Sequence, residues 1–234
     1  SNRGYLSSVD IVYRRDVENG DSGHASVAQR LHEAAIAVGG SASELAWRFP
    51  IRQQGLPMSE TMIRRGWDAI NQGQGMAALH HRLAQRLRQW RPDVVLTDMP
   101  TATNGPAQRV IGQAMLKAVE LAADEKKLPR NKTAGLPAWQ VKKLYGTEFS
   151  KKDKATASVR VHAMELSLRL GRTLGEHATP ARQMIHRSFQ ECPESTGLHL
   201  LINRLPNPSS SAGLFRDLVL NPGTEARRKR STAP

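Results

Sequence analysis

Arg91-Pro92-Asp93-Val94-Val95-Leu96-Thr97-Asp98 decides how this 234-residue chain is read. Arg-Pro-Asp is a turn signal, and the four apolar or β-branched residues after it predict a strand. A short unbroken run of that kind predicts burial on both faces, hence a central strand of a parallel sheet. Asp98 to Pro106 reads as a polar loop. Pro106 then suits the first turn of a helix, because the N–H it lacks has no partner there. That helix is expected to reach about Asp124, with Ile111, Ala114, Met115, Ala118 and Ala122 inward.

Working outward, the same alternation of strand and helix continues upstream. Val9-Asp10-Ile11-Val12-Tyr13 predicts a short strand. From Val27 to Val38 apolar residues recur at helical spacing, and Gly39-Gly40 is the stop. Leu45, Trp47 and Phe49 alternate as in a half-buried strand. Residues 59–72 and 76–90 read as helices. In the second, Met76, Leu79, Leu83, Leu87 and Trp90 share one face, and Arg82, Arg86 and Arg88 are expected largely elsewhere. Downstream, Lys126 to Gly135 reads as a basic linker, Val141 to Phe149 and Val159 to Ala163 as strands. Thr179-Pro180 reads as an N-cap with Pro at N1 of a helix to about Gln190. Leu198 to Leu205 is helix or strand, Pro206 to Ser211 a flexible loop, and Asn221 to Pro234 a disordered tail. The pattern predicts an α/β fold, Rossmann-like and three-layered, with a mainly parallel sheet.

The chain carries 34 basic and 21 acidic residues, a formal charge of +13. The first hundred residues hold 12 basic and 10 acidic side chains, so the excess belongs to the rest. A charge of this size raises nucleic acid as a partner, held weakly through Arg227-Arg228-Lys229-Arg230. Aromatic residues are 5% of the chain and none interrupts that run, which argues against base stacking. No stretch approaches the roughly 20 apolar residues of a bilayer helix, so no membrane span is expected. A single cysteine, Cys192, excludes a disulfide framework or a multi-thiolate zinc site. A reducing, cytoplasmic location is expected.

The chemistry is sparse. His80 and His81 are adjacent, and their rings diverge by about 100° on a helix. No His-Glu-x-x-His pair occurs, and Gly73-Gln74-Gly75 lies between helices rather than after a strand. Cys192 has no base placed beside it. Asp98, Asn104 and Gln108 stand out because open α/β sheets bind ligands at the carboxyl ends of strands. Asp98 as a turn residue and Asn104 as a helix cap explain the same letters without a ligand.

Four segments in order resemble the PIG-L/LmbE family of N-deacetylases. They are the helix with Arg30 and Glu33 ending at Gly39, Arg91 to Thr97, the Gly105-Pro106 helix start, and Gly135-Leu-Pro-Ala-Trp-Gln-Val-Lys-Lys-Leu-Tyr145. The last is similar to the family's Pro-Trp-x-x-Lys-x-Tyr. Gly171-Arg-Thr-Leu-Gly175 resembles divergent members of planctomycete type. The resemblance implies residues 1–146 as the α/β core, 147–205 as an extension of it, and 206–234 as a basic tail. It implies a zinc-dependent hydrolase acting on an N-acetylated sugar, with Asp as general base.

The family's metal ligands come from Ala-His-Pro-Asp-Asp-Glu after the first strand and from a His in His-Pro-Asp-His. The first motif is absent here, so the fold is expected to be incomplete at its N-terminus, as in a piece of a longer protein. At the second, Pro106-Ala107-Gln108 puts an amide in the ligand position, and an amide is a poor zinc ligand. No metal site and no cofactor are therefore expected, although the family uses zinc. Arg30, Asp98, Asn104 and Gln108 are the candidate substrate-binding residues, for a sugar-derived small molecule. A non-catalytic ligand-binding pseudoenzyme is the alternative, and a basic nucleic-acid-binding module the third reading.

Overall fold

The computed structural model describes residues 6–12, 14–15, 26–51, 58–101, 105–148, 157–186, 192–206 and 213–218. In chain order these form β1 (Ser8–Ile11), β2 (Arg14–Arg15), α1 (Val27–Ala37), β3 (Ala42–Leu45), β4 (Pro50–Ile51), α2 (Glu60–Ile70) and α3 (Gly75–Trp90). There follow β5 (Val94–Asp98), α4 (Pro106–Ala123), a 3₁₀ turn at Arg130–Thr133, β6 (Lys143–Glu148), β7 (Val159–His162), β8 (Leu166–Ser167), β9 (Arg172–Thr173), α5 (Leu174–His186) and β10 (Ser195–Asn203). The chain divides into two compact units, Ser1–Pro57 with Val161–Thr196, and Met58–Arg160 with Gly197–Pro234.

In the first unit β1 pairs β3 in parallel, and β2 pairs β4 in parallel. The connecting helix α1 opens on Ser26, whose hydroxyl accepts from Gln29 N at 3.2 Å. It buries Leu31, Ala34 and Ala35. The alternation through Leu45, Trp47 and Phe49 is not one strand. The strand ends at Leu45 and residues 47–48 turn, so Phe49 is buried while Trp47 is exposed.

Further along this unit, α5 starts at Leu174, not at Thr179-Pro180. Thr173 and Glu176 make a capping box: Glu176 N donates to Thr173 Oγ1 at 3.2 Å, and Thr173 N donates to Glu176 Oε2 at 2.7 Å. Two satisfied N–H groups outweigh the boundary that Pro180 suggests. Pro180 is carried inside the helix, and Thr179 Oγ1 beside it donates to Gly175 O at 2.8 Å.

The second unit carries β5, β6 and most of β10, in a sheet of the order β5-β6-β10-β7. The β5–β6 pair is parallel and β6–β10 antiparallel, so this sheet is mixed and not mainly parallel. Period-two letters such as Leu198, Leu200 and Ile202 mark a strand but carry no information on its direction. Among the described strands β5 has one neighbour and lies at the edge. Its residues alternate, with Val95 and Thr97 buried and Leu96 50% exposed, so the expected central strand buried on both faces is corrected to a half-buried one.

Helix α4 covers the buried face of β5. Ile111, Ala114, Ala118 and Ala122 are inward as expected. Gly112 is there because a Cβ would collide with Asp98 O and the backbone of Pro100. Leu79, Leu83 and Leu87 of α3 complete the core. The segment from Lys126 to Gly135 is packed and not a linker, since Leu128 is 0% exposed and Thr133 1%.

Arg88 is the largest departure. It is 0% exposed, not on a solvated face. Its guanidinium donates to Ala122 O at 3.0 Å, Leu121 O at 3.2 Å, Asp124 O at 3.2 Å, Leu136 O at 3.5 Å and Thr133 Oγ1 at 3.3 Å. Three of these carbonyls end α4, where helix carbonyls lack intrahelical partners and the dipole is negative. One cation therefore closes α4 and binds the following turn to it.

The tail Asn221 to Pro234, the loop 207–211 and Tyr13 lie outside the described residues. Among the described residues no helix is long and apolar enough to cross a membrane.

Candidate functional site

The carboxyl end of β5 and the first turn of α4 place polar groups where α/β sheets receive ligands. Asp98 ends the strand, in register with Thr147 of β6. Its carboxylate has no hydrogen bond or ion pair among the described residues, and burial pushes its pKa up from 3.8 to about 6. Desolvation alone causes this, because the charged form loses water without gaining a partner. Next to it Thr97 is buried, and its Oγ1 has no hydrogen-bond partner within the described residues. The Thr97 carbonyl is used, accepting from Thr147 Oγ1 at 3.0 Å.

Helix α4 opens at Gly105 without a side-chain cap. The side-chain amide of Gln108 folds back over Gly105, where a Cβ would strike its Oε1. Arg109, one residue on, is held by Glu60 of α2, with Nε 2.6 Å from Oε1. Glu60 thereby fixes the rotation of this first turn.

The structure places the four expected binding residues as follows. Asp98 and Gln108 lie in the second unit, at the strand end and helix start that Gly112 brings into contact. Arg30 lies in α1 of the first unit, where its Nη1 donates to Ile185 O of α5 at 3.5 Å. Asn104 lies outside the described residues. Thr97, Gly112 and Thr147 belong to this end of the sheet and were not singled out from the letters. The Asp98 register and the small residue one turn past Gln108 were the available signals.

Burial leads the lowering of the His80 pKa, with Lys117, His81 and Arg64 adding to it, so His80 is a neutral helix residue at pH 7. Cys192 Sγ lies 3.6 Å from Gly175 O and 3.7 Å from Thr179 Oγ1, a packed thiol at the start of α5. Among the described residues no group of three or more His, Cys, Asp or Glu is arranged to hold a metal ion. At the β5 end one carboxylate and one amide do not fit a catalytic zinc, which takes three protein ligands and an open position. What this end can do is accept hydrogen bonds at Asp98, offer the Gln108 amide, and transfer a proton near neutral pH.

No protein-family model matches the chain, and no curated protein matches it. Solved structures similar to it include two described by name. GalB, the 4-carboxy-2-hydroxymuconate hydratase from Pseudomonas putida, superposes with a TM-score of 0.54 at 14% identity, covering 89% of each chain. The conserved protein TT1542 from Thermus thermophilus has a TM-score of 0.48 at 14% identity, covering 89% of this chain and 100% of that one. The likeness to GalB is one of fold: the chain has a mixed α/β architecture of a kind that also serves an enzyme.

Proposed function

We propose that this chain is a divergent PIG-L/LmbE-type, Rossmann-like α/β domain that binds an N-acetylated sugar at the carboxyl end of β5 without deacetylating it as it stands. In this reading residues 1–146 are its core, 147–205 an extension and 206–234 a basic tail, acting in the cytoplasm. The observation that carries it is the Asp98 carboxylate, desolvated and unpartnered among the described residues, at the strand end whose backbone Gly112 of the Gln108 helix touches. A sugar hydroxyl can donate to that carboxylate, and the amide can pair with an N-acetyl group.

Three of the four segments that carry the resemblance support the reading by their proximity in the second unit. Arg91 to Thr97 leads into and along β5, Gly105-Pro106 opens α4, and Lys143 to Tyr145 lies on β6 beside β5. Trp139 Nε1 donates to Pro92 O at 2.9 Å, joining two of these segments directly. Arg30 is assigned to substrate by the resemblance alone.

Calorimetric titration with N-acetylglucosamine and with glucosamine tests this reading. Saturable binding of the acetylated sugar, weakened at least tenfold by Asp98→Asn and several-fold by Gln108→Ala, is expected. Equal binding of both sugars, or none, overturns it.

A second reading is favoured by the acidity of Asp98. A carboxyl with a pKa about 6 suits proton transfer in the addition of water to an unsaturated small acid, the class of reaction named for GalB. Asp98 would then take a proton from water and return it to the adjacent carbon. Hydration of 4-carboxy-2-hydroxymuconate, followed by the loss of its diene absorbance and abolished by Asp98→Asn, would favour this reading over the first.

A further inference from the structure

Lys143 is 5% exposed and Tyr145 2% exposed, two residues apart on β6 and therefore on one face of the strand. Among the described residues no carboxylate pairs with the Lys143 ammonium. Its Nζ donates instead to the carbonyls of Arg216 at 2.7 Å and Gly213 at 3.2 Å. The Tyr145 hydroxyl donates to the same Gly213 carbonyl at 3.3 Å. Burial pushes the phenol pKa up, so the hydroxyl stays a donor.

Gly213 O also accepts from Arg216 N at 3.3 Å, inside the turn. Three donors thus share one carbonyl that has two lone pairs, and all three bonds are at or beyond the long end of the range. A shielded ammonium satisfied only by neutral oxygens still lacks the opposite charge that repays its desolvation. The Lys143–Tyr145 pair is therefore better matched to an anion than to the turn that occupies it.

We propose that Lys143 and Tyr145 form a carboxylate-binding site that the chain's own turn at residues 213–216 occupies in the absence of ligand. The carbonyl oxygens of Gly213 and Arg216 take the ammonium and hydroxyl donors that a carboxylate would take. A carboxylate adds the missing charge and a second acceptor, relieving Gly213 O. Tyr145 pairs with Leu96 on β5, two residues before Asp98, so this site and the strand end share one face of the β5–β6 pair. The inference does not rest on Asp98, and a binding measurement without any activity keeps the two readings separate.

The test is a titration of the full chain with succinate, against sodium chloride and inorganic phosphate at matched ionic strength. Calorimetry gives the stoichiometry and amide NMR follows residues 213–218. One-to-one binding of succinate is expected, shifting the Gly213 and Arg216 amides. Lys143→Met should weaken it at least tenfold and Tyr145→Phe about threefold. Gly213→Val should tighten it several-fold, because its Cβ presses on Arg216 Cβ and loosens the turn. Equal shifts with chloride, or unaltered binding by Lys143→Met, overturn the site, and tighter binding of phosphate than of succinate overturns its assignment to carboxylates. Should Lys143→Met fail to fold, Gly213→Val decides, since unchanged or weaker binding there also overturns the proposal.

Discussion

The two ends of β5 differ in how completely their polar groups are used. At the amino end Pro92 O accepts from Trp139 Nε1, and Asp93 O accepts from the amides of Lys142 and Lys143, each at 3.0 Å. The Asp93 carboxylate pairs with Lys142 Nζ at 3.1 Å, and the Arg91 guanidinium lies 5.6 Å from the Trp139 ring centroid. Arg88 nearby spends its guanidinium on four carbonyls and a hydroxyl. At the carboxyl end Asp98 and Thr97 Oγ1 carry capacity that the described residues do not use. Saturated polar groups stabilise a fold, whereas unused buried ones cost stability and are kept where something else binds.

The comparison breaks most visibly if the amino end is damaged. Arg88→Met should cost about 3–5 kcal/mol, because it strands the terminal carbonyls of α4 in a dry interior. Urea unfolding followed by circular dichroism reads this directly, and a loss below about 1 kcal/mol would mean that the guanidinium adds little. At the other end Gly112→Val should cost about 2–3 kcal/mol by forcing α4 off the Asp98 and Pro100 backbone. Its unfolding midpoint should fall while ligand binding at Asp98 falls with it, since the helix carries Gln108.

Asp98→Asn sharpens the contrast because its effect has the opposite sign. The folded pKa, about 6, lies above the ordinary 3.8, so the unfolded chain gives up this proton first as pH rises. The contribution of Asp98 to stability is therefore whole below about pH 4, declines between about pH 4 and 6, and stays lost above that range. Asn removes the penalty, and at pH 7.5 the variant should be more stable than the parent by about 2 kcal/mol. At pH 3.5 the two should unfold alike. A variant less stable at both pH values would show that the carboxylate has a partner.

The smallest effect is expected from Trp139→Phe, about 1 kcal/mol, through loss of the bond to Pro92 O. Thermal unfolding of this variant with Asp98→Asn added should show the two effects summing, as for separate ends.

How much of this was legible follows from which physical term each residue obeys. The helix over Pro106–Ala123 was readable because its small apolar residues recur at helical spacing and Pro106 marks its start. The existence of β5 was equally plain. Its place at the edge of a mixed sheet was not, since pairing direction is set by partners far along the chain. Arg88 was read as lying largely off the apolar face, because one letter gives its charge but not the carbonyls of Leu121, Ala122 and Asp124 waiting for it. The start of α5 was missed because Pro180 drew the boundary, although Thr173 and Glu176 stood at capping-box spacing. Asp98 and Gln108 were named from position relative to a strand end, while Thr97 and Lys143 came to notice only through what surrounds them.

By itself the sequence determined the local elements, the basic balance of the chain, the absence of a long apolar span and the small set of polar residues at the end of Val94–Thr97. Those properties depend on neighbours within one or two turns of helix or a few strand residues. Only the tertiary structure decided that the principal sheet is mixed, that Arg88 closes α4 from within, and that Lys143 and Tyr145 converge on the turn at Gly213. Each of these joins residues 33 to 73 positions apart, and the free energy of a buried charge is set by the groups that replace its water.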